Sequence, residues 1–338
     1  MTFSITLHPA NCSFPIEANE TILNAALRHG HTLPYACREG SCGVCKGRVL
    51  QGTVDHGNFL GGILSPAERA AGVALFCCAT PESDLVIERR EVHPLRDITV
   101  RILPCRVEKM QRMADHVMLL YLKLPNSERL QFLAGQYIDI LKGNGEQHSF
   151  SLGNAPHDNE FLQLHIRMVP GGVFTHHVFT QMKERDILRI KGPLGAFYLR
   201  DSIKPVIFVA SGTGIAPVKA IIEHALHTGI KRPMHLYWGA RKQADLYLPE
   251  LAKQWEAQGI RFTPVLSEPI AEDHWQGKTG FVHQAVMEDY SDLSCHQVYA
   301  CGGPMMVNAA RHDFTALRGL PVDEFFSDSY TVASKPQA

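Results

Sequence analysis

Three textures of hydrophobic and polar patterning follow one another along the chain. Residues 2–7 (TFSITL) and 13–18 (SFPIEA) read as strands joined by HPAN as a hairpin. Thr21 to Arg28 puts Ile22, Leu23, Ala26 and Leu27 at helical spacing, with Gly30 as the stop. Lys46–Leu50 is again strand-like. Ser65-Pro-Ala-Glu68 is a capping box with proline at the first helical position, opening a short helix that leads to Leu75-Phe-Cys77. Small strands and short helices around a cysteine loop predict a small α+β module over residues 1–92, with His93-Pro94 as a linker.

From Thr99 the pattern changes to repeated strand signals separated by turn residues: TVRILPCRVEKM, HVMLLYLKL, QYIDILK, HSFSL, FLQLHIRMV and DILRIKG. These predict an antiparallel β-barrel over residues 97–200, interrupted by one helix at about Val173–Lys183. From Lys204 strands alternate with helices: PVIFVA, VKAIIEHALH ended by Gly229, HLYWGA, PELAKQWEAQG, IRFTPVL, QVYACGG and PMMVNAARHDFTAL. That alternation predicts a parallel sheet with helices on both faces over residues 203–332, and SKPQA at the end reads as frayed. The chain thus reads as a multidomain α+β and α/β protein.

Composition narrows the function more than the fold. With 338 residues, 45% hydrophobic, and a formal net charge of −1, the chain is an ordinary globular protein with no polyelectrolyte character. Global attraction to nucleic acid or to anionic lipid is excluded. No apolar run approaches a membrane span, and MTFSITLHPA lacks a basic-then-apolar signal pattern, so a cytoplasmic location is expected. Nine cysteines in such a chain argue for metal chemistry and reduced thiols. Eighteen histidines are scattered without ligand spacing.

The cysteines carry the first chemical signal. Cys37, Cys42 and Cys45 stand at C-x4-C-x2-C spacing, with Cys77 as a distant fourth. That is the plant-type 2Fe–2S ligand pattern. Gly40 and Gly43 let the backbone turn closely and aim amides at the sulfurs. Zinc sites usually present paired C-x2-C knuckles, and no second pair exists here. Cys78 adjoins Cys77, and only one of the two serves as fourth ligand. The remaining Cys12, Cys78, Cys105, Cys295 and Cys301 read as small buried hydrophobes.

Two glycine turns carry the second signal. Gly212-Thr213-Gly214, followed by Pro217, sits where a strand meets its helix, and Cys301-Gly302-Gly303-Pro304 repeats this at a later junction. Glycines there bring amides to a diphosphate at a helix N-terminus, and both turns face the crevice beyond the carboxyl ends of the strands, so a dinucleotide is expected. In the barrel, Phe150 could cover a flat ring, Ser151 could bond it, and Gly171-Gly172 stand just before a helix. Each of these last features is also met in plain cores and hairpin turns.

Together, order and motifs resemble the ferredoxin–NADP reductase superfamily, in the version with an N-terminal plant-type ferredoxin domain. The resemblance covers nearly the whole chain. It implies a β-grasp ferredoxin domain, an FAD-binding β-barrel and a nicotinamide-nucleotide domain. The family's R-x-Y-S motif binds flavin, its Arg on the FAD phosphate, its aromatic on the isoalloxazine and its Ser near N5. Phe150 and Ser151 match, while His148 replaces the Arg. His165-Ile166-Arg167 match the second flavin strand, with Arg167 a source of charge. Gly171, Gly172 and Thr175 match the phosphate turn, and Gly212, Thr213, Gly214 and Pro217 the nucleotide loop. Cys301 matches the cysteine near the nicotinamide, and Asp328 the C-terminal acidic residue beside an aromatic. Leu75-Phe-Cys77-Cys78-Ala79 resembles the ferredoxin pattern with Cys77 as ligand. The run YACREGSCGVCKGRVLQGTVDHG and the ending FFSDSY look most like the CDP-6-deoxy-Δ3,4-glucoseen reductase family.

The implied activity is an NAD(P)H-dependent oxidoreductase. A nicotinamide gives a hydride, a 2Fe–2S cluster takes one electron, and a flavin between them mediates. Electrons then pass to a partner protein, a deoxysugar dehydratase or an oxygenase, from a cluster near about −400 mV. Ser151, Cys301 and Asp328 are the candidate catalytic residues. The choice between NADH and NADPH stays open, with the resemblance leaning towards NADH; Arg241 and Lys242 follow strand HLYWGA where a 2′-phosphate could lie, although exposed charges are common. The alternatives are a stand-alone NAD(P)H:flavin reductase with an accessory cluster, and a non-enzymatic redox sensor.

Overall fold

A computed structural model describes residues 2–9, 11–31, 33–88, 98–143 and 145–330. The expected linker at His93-Pro94 and the frayed SKPQA lie outside the described residues. The chain forms two compact units, residues 1–98 and 99–338.

The first unit holds β1 (Thr2–His8), β2 (Cys12–Glu17), α1 (Ile22–Arg28), β3 (Lys46–Gln51), β4 (Val54–Asp55), α2 (Pro66–Ala70), β5 (Val73–Leu75), β6 (Thr80–Pro81) and β7 (Leu85–Glu88). Its main sheet runs β2-β1-β7-β3-β5, with β1 antiparallel to β2 and parallel to β7. Thr21 caps α1 by accepting the Asn24 amide, and Ile22, Leu23, Ala25 and Ala26 bury its inner face. The capping box at α2 has both its hydrogen bonds, Ser65 Oγ accepting from Glu68 N and Glu68 accepting from Ser65 N.

The second unit begins with all six expected barrel strands: β8 (Arg101–Ala114), β9 (Val117–Lys123), β10 (Tyr137–Leu141), β11 (Gln147–Ser151), β12 (Leu162–Arg167) and β13 (Ile187–Leu194). They pair antiparallel in the order β11-β10-β13-β8-β9-β12, and a bridge between Leu152 and Leu164 joins the two ends. A core including Val107, Leu120, Ile138, Leu164 and Ile190 fills the interior. Helix α3 (Val173–Thr180) interrupts the strands and ends three residues short of the expected Lys183.

The rest of this unit is a parallel six-stranded sheet. It contains β14 (Val206–Ser211), α4 (Ile215–His227), β15 (Met234–Ala240), α5 (Pro249–Ala257), β16 (Arg261–Leu266), β17 (Lys278–Thr279), α6 (Val282–Asp289), β18 (Gln297–Gly302), α7 (Pro304–Leu317) and β19 (Phe325–Ser329), in the order β17-β16-β15-β14-β18-β19. Strands β14 and β18 are buried nearly throughout, as strands covered on both faces must be. The glycine turns after β14 and β18 are therefore neighbours at one end of the sheet.

The expectation for the spare cysteines needs correcting. Cys105 and Cys301 are buried, but Cys12 and Cys78 are half-buried and Cys295 is exposed. Cys295 stands in the turn before β18, where no apolar face covers it.

Candidate functional site: a cysteine loop and a flavin–nucleotide crevice

In the first unit the cysteine loop is pinned from two sides. The Phe76 amide donates to the Cys45 carbonyl across 3.0 Å, and the amides of Ile22 and Leu23 on α1 hold the carbonyls of Ala79 and Phe76. These bonds fix the segment that carries Cys77 beside the loop. Cys45 Sγ and Cys77 Sγ then lie 3.1 Å apart, while Cys42 shares a hydrogen bond with Cys37. The amides of Glu39 and Ser41 point at Cys37 Sγ from 3.5 and 3.4 Å. Gly40 has φ +67°, and a Cβ on it would lie 2.6 Å from Phe59 Cβ and 2.8 Å from Cys78 Sγ.

This arrangement fits a two-iron cluster better than a single ion. Among the described residues no group of three or more ligand side chains is disposed to hold a lone metal ion. The thiols instead form two pairs, Cys37 with Cys42 and Cys45 with Cys77, as two bridged irons need. Cys77 is buried with its Sγ against Cys45 Sγ; Cys78 is half-buried, with its Sγ beside Gly40 and 3.6 Å from Cys77 Sγ.

In the second unit, barrel and sheet bring distant residues together. Ser151, at the end of β11, donates from Oγ to Asp328 Oδ2 on β19 across 3.3 Å. Tyr330 OH lies 3.4 Å from Ser151 Oγ and 3.3 Å from the Thr213 carbonyl oxygen, and it also hydrogen-bonds the Cys301 thiol. Cys301 pairs directly with Asp328 in the β18–β19 register. The three candidate catalytic residues thus share one buried cluster. Burial pushes the Asp328 carboxyl up to about 6, and burial followed by the Asp328 charge pushes the Cys301 thiol well above its usual value. Tyr330 was not among the sequence candidates, although the aromatic expected beside the acidic residue was its signal.

The nucleotide turns approach each other closely. A Cβ on Gly214 would lie 2.2 Å from the Cys301 carbonyl oxygen and 3.0 Å from Gly302 Cα, so only glycine fits. Thr213 is buried and Pro217 lies in the buried first turn of α4. Pro304 opens α7 at its first position, just after Gly302 and Gly303. Arg241, half-exposed after β15, sits 3.7 Å from Asp245, whose other oxygen lies 3.3 Å from His116 Nε2.

The flavin candidates divide. His148 stacks face-on against Phe174 at 4.7 Å, and Phe150 tilts against the same ring at 5.5 Å. Gly171 and Gly172 form the turn into α3, closed by Thr175, whose Oγ1 accepts from Val169 N and donates to the Gly172 carbonyl. They line a cleft of about 560 Å³ with Lys142, Val173, His176 and His177. The N-terminus of α3 has no side-chain cap, and His148 Nε2 is buried without a hydrogen-bond partner. A glycine turn and uncapped amides facing an open cleft fit the phosphate of a bound flavin nucleotide.

His165 and Arg167 are placed elsewhere. The His165 ring is buried, with Nδ1 2.8 Å from Tyr247 OH and Nε2 3.1 Å from Gln163 Oε1, and burial lowers its pKa to about 3. It joins barrel to sheet as a neutral bridge. Arg167 Nη1 lies 3.5 Å from where a Gly212 Cβ would be, so its guanidinium borders the nucleotide turn and not the Gly171 cleft.

Comparison with known proteins agrees with this division. The 2Fe-2S iron-sulfur cluster binding domain matches residues 5–82, the oxidoreductase FAD-binding domain 104–198 and the oxidoreductase NAD-binding domain 208–312. The CDP-6-deoxy-L-threo-D-glycero-4-hexulose-3-dehydrase reductase of Yersinia pestis is 38% identical over 332 residues, covering 98% of this chain and 99% of that protein. The chain belongs to the ferredoxin–NADP reductase superfamily, in the form with an N-terminal plant-type ferredoxin domain. This reductase is also 34% identical over 345 residues to DmpP, the reductase component of phenol 2-monooxygenase from Pseudomonas sp. strain CF600, covering 98% of the chain and 96% of DmpP. Among solved structures it is similar to the Amycolatopsis cytochrome P450 reductase GcoB, with a TM-score of 0.78, 33% identity, and coverage of 98% and 100% of the two chains. The reductase binds a 2Fe–2S cluster, FAD and a nicotinamide nucleotide. Among the described residues no helix is long and apolar enough to cross a membrane.

Proposed function

We propose that this chain is the reductase component of a multicomponent system. It takes a hydride from NADH and delivers single electrons to a separate acceptor protein. The relatives named for a dehydrase and for phenol and P450 oxygenation favour an acceptor of deoxysugar-dehydratase or oxygenase type. The work divides among residues 1–92 for the cluster, 97–200 for the flavin and 203–332 for the nucleotide. The five cysteines outside the cluster, Cys12, Cys78, Cys105, Cys295 and Cys301, are free of disulfides, which suits a cytoplasmic setting.

One observation carries the reading: Ser151, Asp328, Cys301 and Tyr330 meet where barrel strand β11 reaches the carboxyl edge of the parallel sheet. Flavin, when bound, supplies the conversion between a hydride and single electrons. Ser151 presents a hydroxyl held by Asp328 on one side of that meeting point. The Cys301 thiol, fully buried, keeps water from it. Gly212–Gly214 and Gly302 offer backbone amides to the nucleotide's diphosphate. Phe150 offers an apolar ring face to the flavin, and Cys37, Cys42, Cys45 and Cys77 hold the cluster. NADH is the donor we favour: Asp245 suits a free ribose hydroxyl, and Arg241, the residue that would otherwise suit a 2′-phosphate, is paired with that carboxylate.

Cys42→Ser tests the path. NADH-dependent ferricyanide reduction at the flavin should persist, while cytochrome c reduction should collapse. Loss of neither would reject the cluster as the exit for electrons, and the protein would act as a flavin reductase.

A further inference from the structure

The cleft at the start of α3 offers backbone amides to a diphosphate, and the side chain at position 148 adds no cation to them. His148 lies flat on Phe174 with an interplanar angle of 17°, and it is absent from the residues that line the cleft. Burial, with the neighbouring Lys142 ammonium, holds its imidazole below the usual range, so it is neutral at pH 7. Arg167 borders the Gly212 turn instead. His176 and His177 also line the cleft, each with Nδ1 engaged, by Thr180 and Gln181, which leaves Nε2 as the one nitrogen either ring could offer a phosphate.

We propose that Lys142, at the end of β10, supplies the charge that binds the flavin's diphosphate in this cleft. It lines the cleft together with Gly171 and Gly172, and Nζ stands 5.9 Å from the centre of the Phe174 ring. Its ion pair with Glu146 Oε2, at 3.5 Å, involves a carboxylate side chain that is 51% exposed. Such exposed pairs are weak, so the ammonium is available to a diphosphate. The cation has moved from strand β11 to the hairpin preceding it, and position 148 has become a neutral packing ring. The inference rests on the FAD reading of residues 104–198.

The test is FAD affinity of the full-length protein stripped of flavin but retaining its cluster, measured by fluorescence quenching at several salt concentrations. Lys142→Met should weaken FAD binding about tenfold or more and flatten its dependence on ionic strength. Lys142→Arg should restore both, and Lys253→Met on α5 should change neither. Unchanged affinity in Lys142→Met would overturn the proposal. So would weakening with an unaltered salt slope or without rescue by arginine, because packing alone would then explain it. A wild-type protein that binds no FAD would instead overturn the flavin reading itself.

Discussion

Ser151 and Asp328 lie 177 residues apart in sequence, yet the serine hydroxyl donates to the aspartate across 3.3 Å in a buried site. The bond ties the flavin strand to the last strand of the nucleotide sheet. Ser151→Ala should therefore slow flavin reduction by NADH about a hundredfold, as loss of one positioned donor does elsewhere. Stopped-flow bleaching of the flavin checks it, and NADH affinity should hardly change. An unaltered reduction rate would remove Ser151 from the chemistry.

Asp328 also makes stability depend on pH. Its carboxyl rises from 3.8 to about 6 on folding because it is buried, so between those values the folded state binds more protons than the unfolded one. Stability is then fully present below the lower value and falls as pH rises through about 6, by about 3 kcal/mol for this group alone. Asp328→Asn should flatten that part of a melting-temperature profile. An identical slope in the variant would contradict the burial argument.

Gly214 is pressed directly against the backbone of the neighbouring turn. A methyl group there meets the Cys301 carbonyl at 2.2 Å, so the backbone must move. Gly214→Ala should destabilise by about 1–3 kcal/mol and weaken NADH binding well beyond that of Gly61→Ala, where a Cβ meets nothing within 4 Å and φ is not positive. Thermal unfolding and NADH titration of the two variants make the comparison.

The cysteine loop makes an unequal prediction for two neighbours. Cys77→Ser should broaden or abolish the cluster's electron paramagnetic resonance signal, because it breaks the Cys45–Cys77 pair. Cys78→Ser should leave the signal's g-values in place, since it is Cys77 whose sulfur meets Cys45, with Cys78 behind it at 3.6 Å. The reverse result would assign Cys78 as ligand.

His165 separates structure from cofactor binding. Tyr247→Phe removes one bond to a buried, neutral imidazole and should cost about 1–2 kcal/mol while FAD affinity stays constant. A matching loss of FAD would return His165 to the flavin site.

These variants also mark what was legible beforehand. The cysteine spacing, the capping box of Ser65 and Glu68 and the six barrel strands were readable because each depends on local order or period. Cys301 and Asp328 were reached by resemblance, and their adjacency is a matter of β18–β19 register. Tyr330 escaped the candidate set because its partners, Ser151 and Thr213, lie more than a hundred residues away. Strand β17 has two residues, too few for alternation to show. His165 matched a flavin strand in sequence, but the side chain at that register points to Tyr247, and only the packed sheet decides this.

The most direct measurement is an anaerobic titration of the FAD-loaded protein with NADH, and separately NADPH, followed by absorbance and electron paramagnetic resonance. The account predicts that NADH bleaches both the flavin bands and the broad cluster absorbance, with a reduced-cluster signal appearing, and that NADPH does so far more slowly. Flavin bleaching with a cluster that stays oxidised would contradict the path from nucleotide to cluster.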